Sequence, residues 1–346
     1  MSFLHENIAL QGGRYILKHL IGSGGFGNTY LAEQVSLGRK VAIKEFYMRE
    51  FCERDHNTSQ VIVPTEGGQQ IVSRYKNKFL KEARMIASLR NEHIIQIHDI
   101  FEENGTAYYV MDYIEGGSLK DYVEANGYLS EKKTSGYILQ VADALNYLHS
   151  FNILHLDIKP SNILIDSNER LVLIDFGISK RYDLEGNQTS TTPVGISKGY
   201  APIEQYQQGN ISGFTPSTDI YSLGATMYFL LTGETPPEAS AIYEDGLPNK
   251  VNSFGPLTYK TLKGSMAPRR KDRFQSVKDF ASSLTQNDSY IGDPPSNIEE
   301  TTVILERNNN ENKVQGNDSY TEWSTRIGIV FVLIVTFTLV VISLTK

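Results

Sequence analysis

The apolar pattern of this chain changes period part-way along, and that change restricts the fold more than any single residue does. Tyr15–Ile21, Asn28–Gln34 and Lys40–Phe46 are rich in strand-forming residues and separated by glycine-bearing turns, so they predict strands. Tyr75–Leu89 switches to helical spacing, with Phe79, Ala83, Ile86 and Leu89 on one side. Ile94–Glu102 and Thr106–Met111 return to strand character around the turn Glu103-Asn104-Gly105. From Ser118 onward helices dominate: Leu119–Asn126, Glu131–Phe151 and Thr218–Leu231. A small β-rich lobe followed by a larger helical lobe is an α+β arrangement, and the cleft between such lobes is a common ligand site.

The folded pattern runs from residue 15 to about 285, with an N-lobe over about 15–111 and a C-lobe over about 115–285. Residues 286–325 are rich in Asn, Ser, Asp and Glu and read as a disordered polar linker. Residues 327–344 then carry no charge and are rich in Val, Ile, Leu and Phe. As a helix they would reach roughly 27 Å, which predicts a C-terminal transmembrane helix. Only Thr345 and Lys346 follow, so a single-pass tail anchor is expected. Met1–Arg14 lacks a cationic start and a long apolar core, so no secretory signal is expected. A net charge of −7 argues against a nucleic-acid partner. Cys52 is the single cysteine, which excludes an intramolecular disulfide or a cysteine-zinc cluster.

Three stretches carry chemistry. Ile21-Gly22-Ser23-Gly24-Gly25-Phe26-Gly27 contains G-x-G-x-x-G between two expected strands, where glycines let the backbone approach phosphates without Cβ clashes. Alone it is a weak signal, and the strand that follows disfavours a dinucleotide fold, in which the glycines would open a helix. Val41-Ala42-Ile43-Lys44 places a lysine on a buried-looking strand. Buried charge without a partner is costly, and Glu82 on the next helix is the carboxylate that could pair with it. His155-Leu156-Asp157-Ile158-Lys159-Pro160-Ser161-Asn162 and Asp175-Phe176-Gly177 then supply what phosphoryl transfer needs: a carboxylate to orient a hydroxyl, a cation, and two oxygen ligands for magnesium. The apolar runs 163–165 and 171–174 predict a hairpin that holds Asn162 near Asp175.

In this order the motifs resemble those of the eukaryotic-type (Hanks-type) protein kinase family, and more closely the bacterial serine/threonine protein kinases. The resemblance extends to Ala201-Pro202-Ile203-Glu204, similar to the end of an activation segment with one residue inserted. It also takes in Asp219, expected at a helix start, and Arg273, expected to pair with Glu204. It implies a two-lobed protein kinase fold that uses ATP and Mg2+, with Mn2+ as a substitute, to modify protein substrates. It further implies that Ile21 and the amides of Gly22, Ser23, Gly24, Gly25, Phe26 and Gly27 cover the ATP phosphates. Lys44, paired with Glu82, contacts the α and β phosphates; Met111 is the gatekeeper, and Asp112 to Ile114 form the hinge against adenine. Asn162 and Asp175 hold the metal, Asp157 orients and deprotonates the substrate hydroxyl, and Lys159 neutralises the transferred group. Phe176, Gly177, Glu204, Asp219 and Arg273 are structural. Lys159, two residues after the catalytic aspartate, favours Ser/Thr over Tyr substrates, and ATP places the kinase domain on the cytoplasmic side.

Some residues depart from that pattern. Leu156 stands where the family usually has an arginine that pairs with a phosphate on the activation segment, so catalysis is expected not to depend on that switch. Thr189, Ser190, Thr191 and Thr192 form a hydroxyl cluster that reads either as solvated loop or as a site of autophosphorylation. Residues 45–74 are a long insertion that either covers the helix after it or forms an interaction surface. Thr301 and Thr302 in the linker read either as solvated polarity or as a phosphothreonine site for a forkhead-associated partner. Two other functions compete: a pseudokinase scaffold, which predicts loss of Lys44, Asp157, Asn162 or Asp175, and a small-molecule phosphotransferase, which the long activation segment argues against.

Overall fold

An antiparallel sheet covered by one long helix makes the first lobe. The computed structural model describes residues 3–55, 57–176, 196–206 and 213–285, and the backbone of 180–181. The strands are β1 (Ala9–Leu10), β2 (Tyr15–Ser23), β3 (Gly27–Gln34) and β4 (Arg39–Phe46), then a small separate hairpin of β5 (Glu53–Arg54) and β6 (Val61–Ile62). Helix α1 (Glu66–Ala87) follows, and β7 (Ile97–Glu103) and β8 (Thr106–Asp112) complete a sheet of order β1-β2-β3-β4-β8-β7. Side chains alternate across it. Ala42, Tyr109 and Met111 face α1 and its Ala83 and Ile86, while Tyr30, Val41, Ile43, Tyr108 and Val110 pack on the other face with Leu4 and Leu10.

The helical period by itself starts α1 at Tyr75; in the structure the helix begins at Glu66. Thr65 caps it by accepting from the Gly68 amide, and Gly67, Gly68, Gln69 and Gln70 carry no apolar period that would reveal the first turns. Gly68 is required by crowding, since a Cβ there would lie 2.7 Å from Thr65 Oγ1 and 3.1 Å from Val63 Cγ1. The insertion is therefore a hairpin plus two added helical turns, and Phe46, Tyr47, Met48 and Cys52 bury it against Val72 and Leu80.

The second lobe contains α2 (Leu119–Asn126), α3 (Glu131–Ser150), β9 (Ile153–Leu154), β10 (Ile163–Ile165), β11 (Leu171–Leu173), β12 (Lys180–Arg181), α4 (Ile203–Tyr206), α5 (Pro216–Thr232), α6 (Ala239–Asp245), α7 (Pro256–Ser265) and α8 (Val277–Thr285). Helix α5 is buried on nearly every side, which fits its almost continuous apolar sequence and makes it the axis on which α3, α7 and α8 pack. Gly177, Thr189, Ser190, Thr191, Thr192, the linker with Thr301 and Thr302, and residues 327–344 lie outside the described residues. Among the described residues no helix is long and apolar enough to cross a membrane.

Candidate active site

Hairpin register builds the centre of the site. Ile163 pairs with Leu173 and Ile165 with Leu171, and the Ile174 amide donates to the Asn162 carbonyl (2.9 Å), so Asn162 and Asp175 leave the hairpin side by side. Asn162 Nδ2 donates to the carbonyl and to Oδ2 of Asp157, both at 2.9 Å. Lys159 Nζ donates to Asp157 Oδ2 at 2.8 Å. The other oxygen, Oδ1, accepts from Ser197 Oγ at 2.5 Å, and Lys159 Nζ also reaches that hydroxyl at 3.0 Å. A carboxylate, an ammonium and an alcohol thus meet in one hydrogen-bonded cluster. Sequence reasoning missed Ser197; its one signal is a hydroxyl residue shortly before Ala201-Pro202, which is faint.

Lys44 reaches across the lobes to Asp175, Nζ to Oδ1 at 2.6 Å. Burial alone would push its ammonium down, but the Asp175 carboxylate against it carries it up. Lys44 in turn holds the Asp175 carboxyl below its usual range. The expected Lys44–Glu82 ion pair is not made: Lys44 has gone to Asp175, and Glu82 takes no ion-pair partner among the described residues. Burial raises the Glu82 carboxyl to about 8, which leaves one cation and one anion in this part of the cleft. Tyr109, also unforeseen, turns its hydroxyl to Lys44, and its ring stacks on Phe79 of α1 with centroids 5.0 Å apart.

Asp219, fully buried on the first turn of α5, organises the loop from below. It accepts from the amides of His155 (3.0 Å) and Leu156 (2.8 Å) and from His149 Nε2 (2.8 Å). Burial opposes its charge, yet these donors hold its carboxyl below the usual value. They also secure Leu156 at φ 64, a backbone region that disfavours a branched side chain. Leu156 packs with Leu154 and Phe214 in a small apolar cluster. Phe176 is fully buried against the His155 ring, centroids 4.8 Å apart. Arg273 meets Glu204 with two parallel bonds of 2.7 and 3.1 Å.

The glycine loop joins β2 to β3, with Ile21 and Phe26 exposed and the Gly24 amide donating to the Gly27 carbonyl (2.9 Å). A Cβ on Gly27 would fall 2.3 Å from the Glu45 carbonyl oxygen, so only glycine fits. Met111 pairs with Ala42 at the end of β8, and Asp112 and Ile114 lead from there into the second lobe.

The donor set suits magnesium: two hard oxygen ligands from protein, Asp175 and the Asn162 amide oxygen left free by its Nδ2 bonds, with remaining positions for phosphate and water.

A strand lobe with a glycine loop and a lysine that meets an aspartate at the mouth of a helical lobe defines a protein kinase domain. The chain belongs to that family, matching the protein kinase domain over residues 15–290. It is 36% identical over 224 residues to the serine/threonine-protein kinase PrkC of Bacillus subtilis, covering 65% of this chain and 31% of that protein. With a probable serine/threonine-protein kinase of Clostridium acetobutylicum it shares 29% over 320 residues, covering 89% of this chain and 45% of the relative. PknB of Mycobacterium tuberculosis is 29% identical over 297 residues, 82% of this chain and 44% of that protein. The chain thus spans less than half the length of each of these relatives. The apo form of PpkA-294 superimposes with a TM-score of 0.67 at 28% identity, over 82% of this chain and all of that one.

Proposed function

We propose that this chain is a serine/threonine protein kinase that transfers the γ-phosphoryl group of ATP to protein hydroxyls. The observation that carries this is the Asp157 carboxylate engaging an alcohol, Ser197, at 2.5 Å with the Lys159 ammonium on both groups. A substrate hydroxyl in that position is oriented by Asp157, which accepts its proton as the new oxygen–phosphorus bond forms and the bond to the β-phosphate oxygen breaks. Lys159 balances the charge on the moving group. Asp175 and Asn162 would hold magnesium, which when bound neutralises the phosphates. The test is transfer of labelled phosphate from Mg-ATP to a generic basic protein, followed by phosphoamino-acid analysis. Phosphoserine or phosphothreonine that disappears in Asp157→Asn is expected. Equal labelling by Asp157→Asn overturns the assignment and favours a scaffold.

Three finer statements belong to the same proposal. Residues 327–344 anchor the chain in a membrane with the kinase domain cytoplasmic, supported by their uncharged apolar composition. Anchoring raises local concentration and favours autophosphorylation in trans, at Thr189–Thr192 and at Thr301 and Thr302, the latter as a docking site for a forkhead-associated partner. Catalysis does not depend on the switch in which an arginine before the catalytic aspartate pairs with a phosphate on the activation segment, because Leu156 stands at that position. Protein treated with a phosphatase should keep its rate within about twofold; loss of the rate on dephosphorylation removes this last point.

A further inference from the structure

Glu45 follows Lys44 on β4 and so points to the opposite face of the sheet, where it is fully buried. Its carboxylate gathers four donors. Arg54 of β5 bonds Oε1 at 2.6 Å, with the two side chains 3% and 0% exposed, and Tyr108 donates to the same oxygen at 2.9 Å. Tyr30 (2.9 Å) and Asn28 Nδ2 (3.1 Å) donate to Oε2. The cluster does not stop in the core. Ser23 Oγ, in the glycine loop, donates to Asn28 Oδ1 at 2.6 Å, and the Arg49 guanidinium donates to Ser23 Oγ. Beside this chain of bonds the insertion grips the loop through its backbone: the Tyr47 amide donates to the Phe26 carbonyl (3.0 Å) and the Arg49 amide to the Gly25 carbonyl (3.4 Å). Phe26 at the loop tip stacks on Tyr75 of α1 at 5.6 Å.

A buried carboxylate needs its remaining acceptor positions filled, and beside Arg54 fold stability alone would be served by Tyr30 and Tyr108. Stability gives no reason for the bonds to run on to Ser23, which is exposed. We propose that the segment between β4 and α1 positions the glycine loop for nucleotide. Arg54 acts through Glu45 and Asn28, and Arg49 acts on Ser23 directly. They are positioning residues, and together they set the height of the loop above the phosphates. The proposal rests on the kinase function given above. A loop held at the right height before ATP arrives gives up less freedom on binding, so the segment contributes to affinity and leaves the chemical step alone.

The test uses the full chain and compares wild type with Asn28→Ala, Arg49→Ala and Arg54→Gln. The readouts are calorimetric affinity for the magnesium complex of a non-hydrolysable ATP analogue, steady-state kinetics and melting temperature. Asn28→Ala cuts the chain of bonds while leaving the Glu45–Arg54 pair intact, and Arg49→Ala changes an exposed side chain, so both keep the fold even if Arg54→Gln does not. Expected are Kd and the KM for ATP raised about tenfold in both, with kcat within about twofold and the KM for protein substrate unchanged. Arg54→Gln, if folded, raises both values no further than Asn28→Ala does, and combining the two adds nothing. Unchanged Kd and KM in the two folded variants, or a fall in kcat alone, overturns the proposal. Wild-type protein that binds no nucleotide overturns the kinase function itself, and this proposal with it.

Discussion

Two ion pairs, one inside the helical lobe and one across the cleft between the lobes, use the same kinds of charge for opposite ends. Glu204 and Arg273 meet through two bonds of 2.7 and 3.1 Å with almost no exposure. Every remaining donor of the guanidinium is occupied, by the carbonyls of Ala267, Pro268 and Ser217. Lys44 and Asp175 share a single 2.6 Å contact, with side chains 23% and 43% exposed, and a second carboxyl, Glu82, stands by without an ion-pair partner among the described residues. The first is a fixture, desolvated and fully satisfied. The second can be exchanged, since Lys44 has another carboxyl to turn to and Asp175 is the carboxylate proposed to hold metal. A charge pair that is part of a working cleft has to be replaceable by ligand at little cost, and partial exposure with a spare partner provides that.

The comparison breaks most visibly at the fixture. Arg273→Leu strands a buried carboxylate and should lower unfolding free energy by about 3–5 kcal/mol, read from urea denaturation. A loss under about 1 kcal/mol would show that the two pairs do not differ in kind. Next comes Lys44→Met, expected to cut phosphoryl transfer by roughly two to three orders of magnitude while shifting stability by less than about 1 kcal/mol. Comparable damage to both would erase the distinction. The smallest effect sharpens it. The Glu82 carboxyl is raised to about 8 from 4.5, so between those values the unfolded chain releases a proton that the folded one keeps. Its contribution therefore turns against folding as pH rises through that window. Glu82→Gln should gain melting temperature relative to wild type from pH 5 to pH 8, with the two curves converging near pH 4. A constant offset would mean that Glu82 is ionised, and paired, in the free protein.

Much of this architecture is legible in the chain because it is written in period. The strand-forming apolar run in Lys40–Phe46 and the helical spacing from Phe79 to Leu89 record burial, and burial is what sequence patterns report. The two-lobed fold follows from those segments, and the motifs place Asn162 and Asp175 at the two ends of one hairpin, with Asp157 in the loop before it. What stays hidden is whatever depends on partner choice across long separations. Nothing local tells Lys44 to prefer Asp175 over Glu82, or brings Ser197 to Asp157. The first turns of α1 hide behind Gly67 and Gly68, which suit tight packing and not helix propensity. Glu45 did leave a trace. It lies in a strand apolar on both faces, so its carboxylate had to find a cation, and Arg54 of the insertion meets it.

Strand β4 also limits which lengths of sequence this lobe can accept. Consecutive residues put the cleft cation Lys44 on one face and the hub anion Glu45 on the other. Inserting or deleting one residue upstream in β4 would rotate both by half a pleat, turning a carboxylate toward the phosphates and an ammonium toward Arg54. Length changes are therefore tolerable in the turn before Arg39, but not in the strand that follows it.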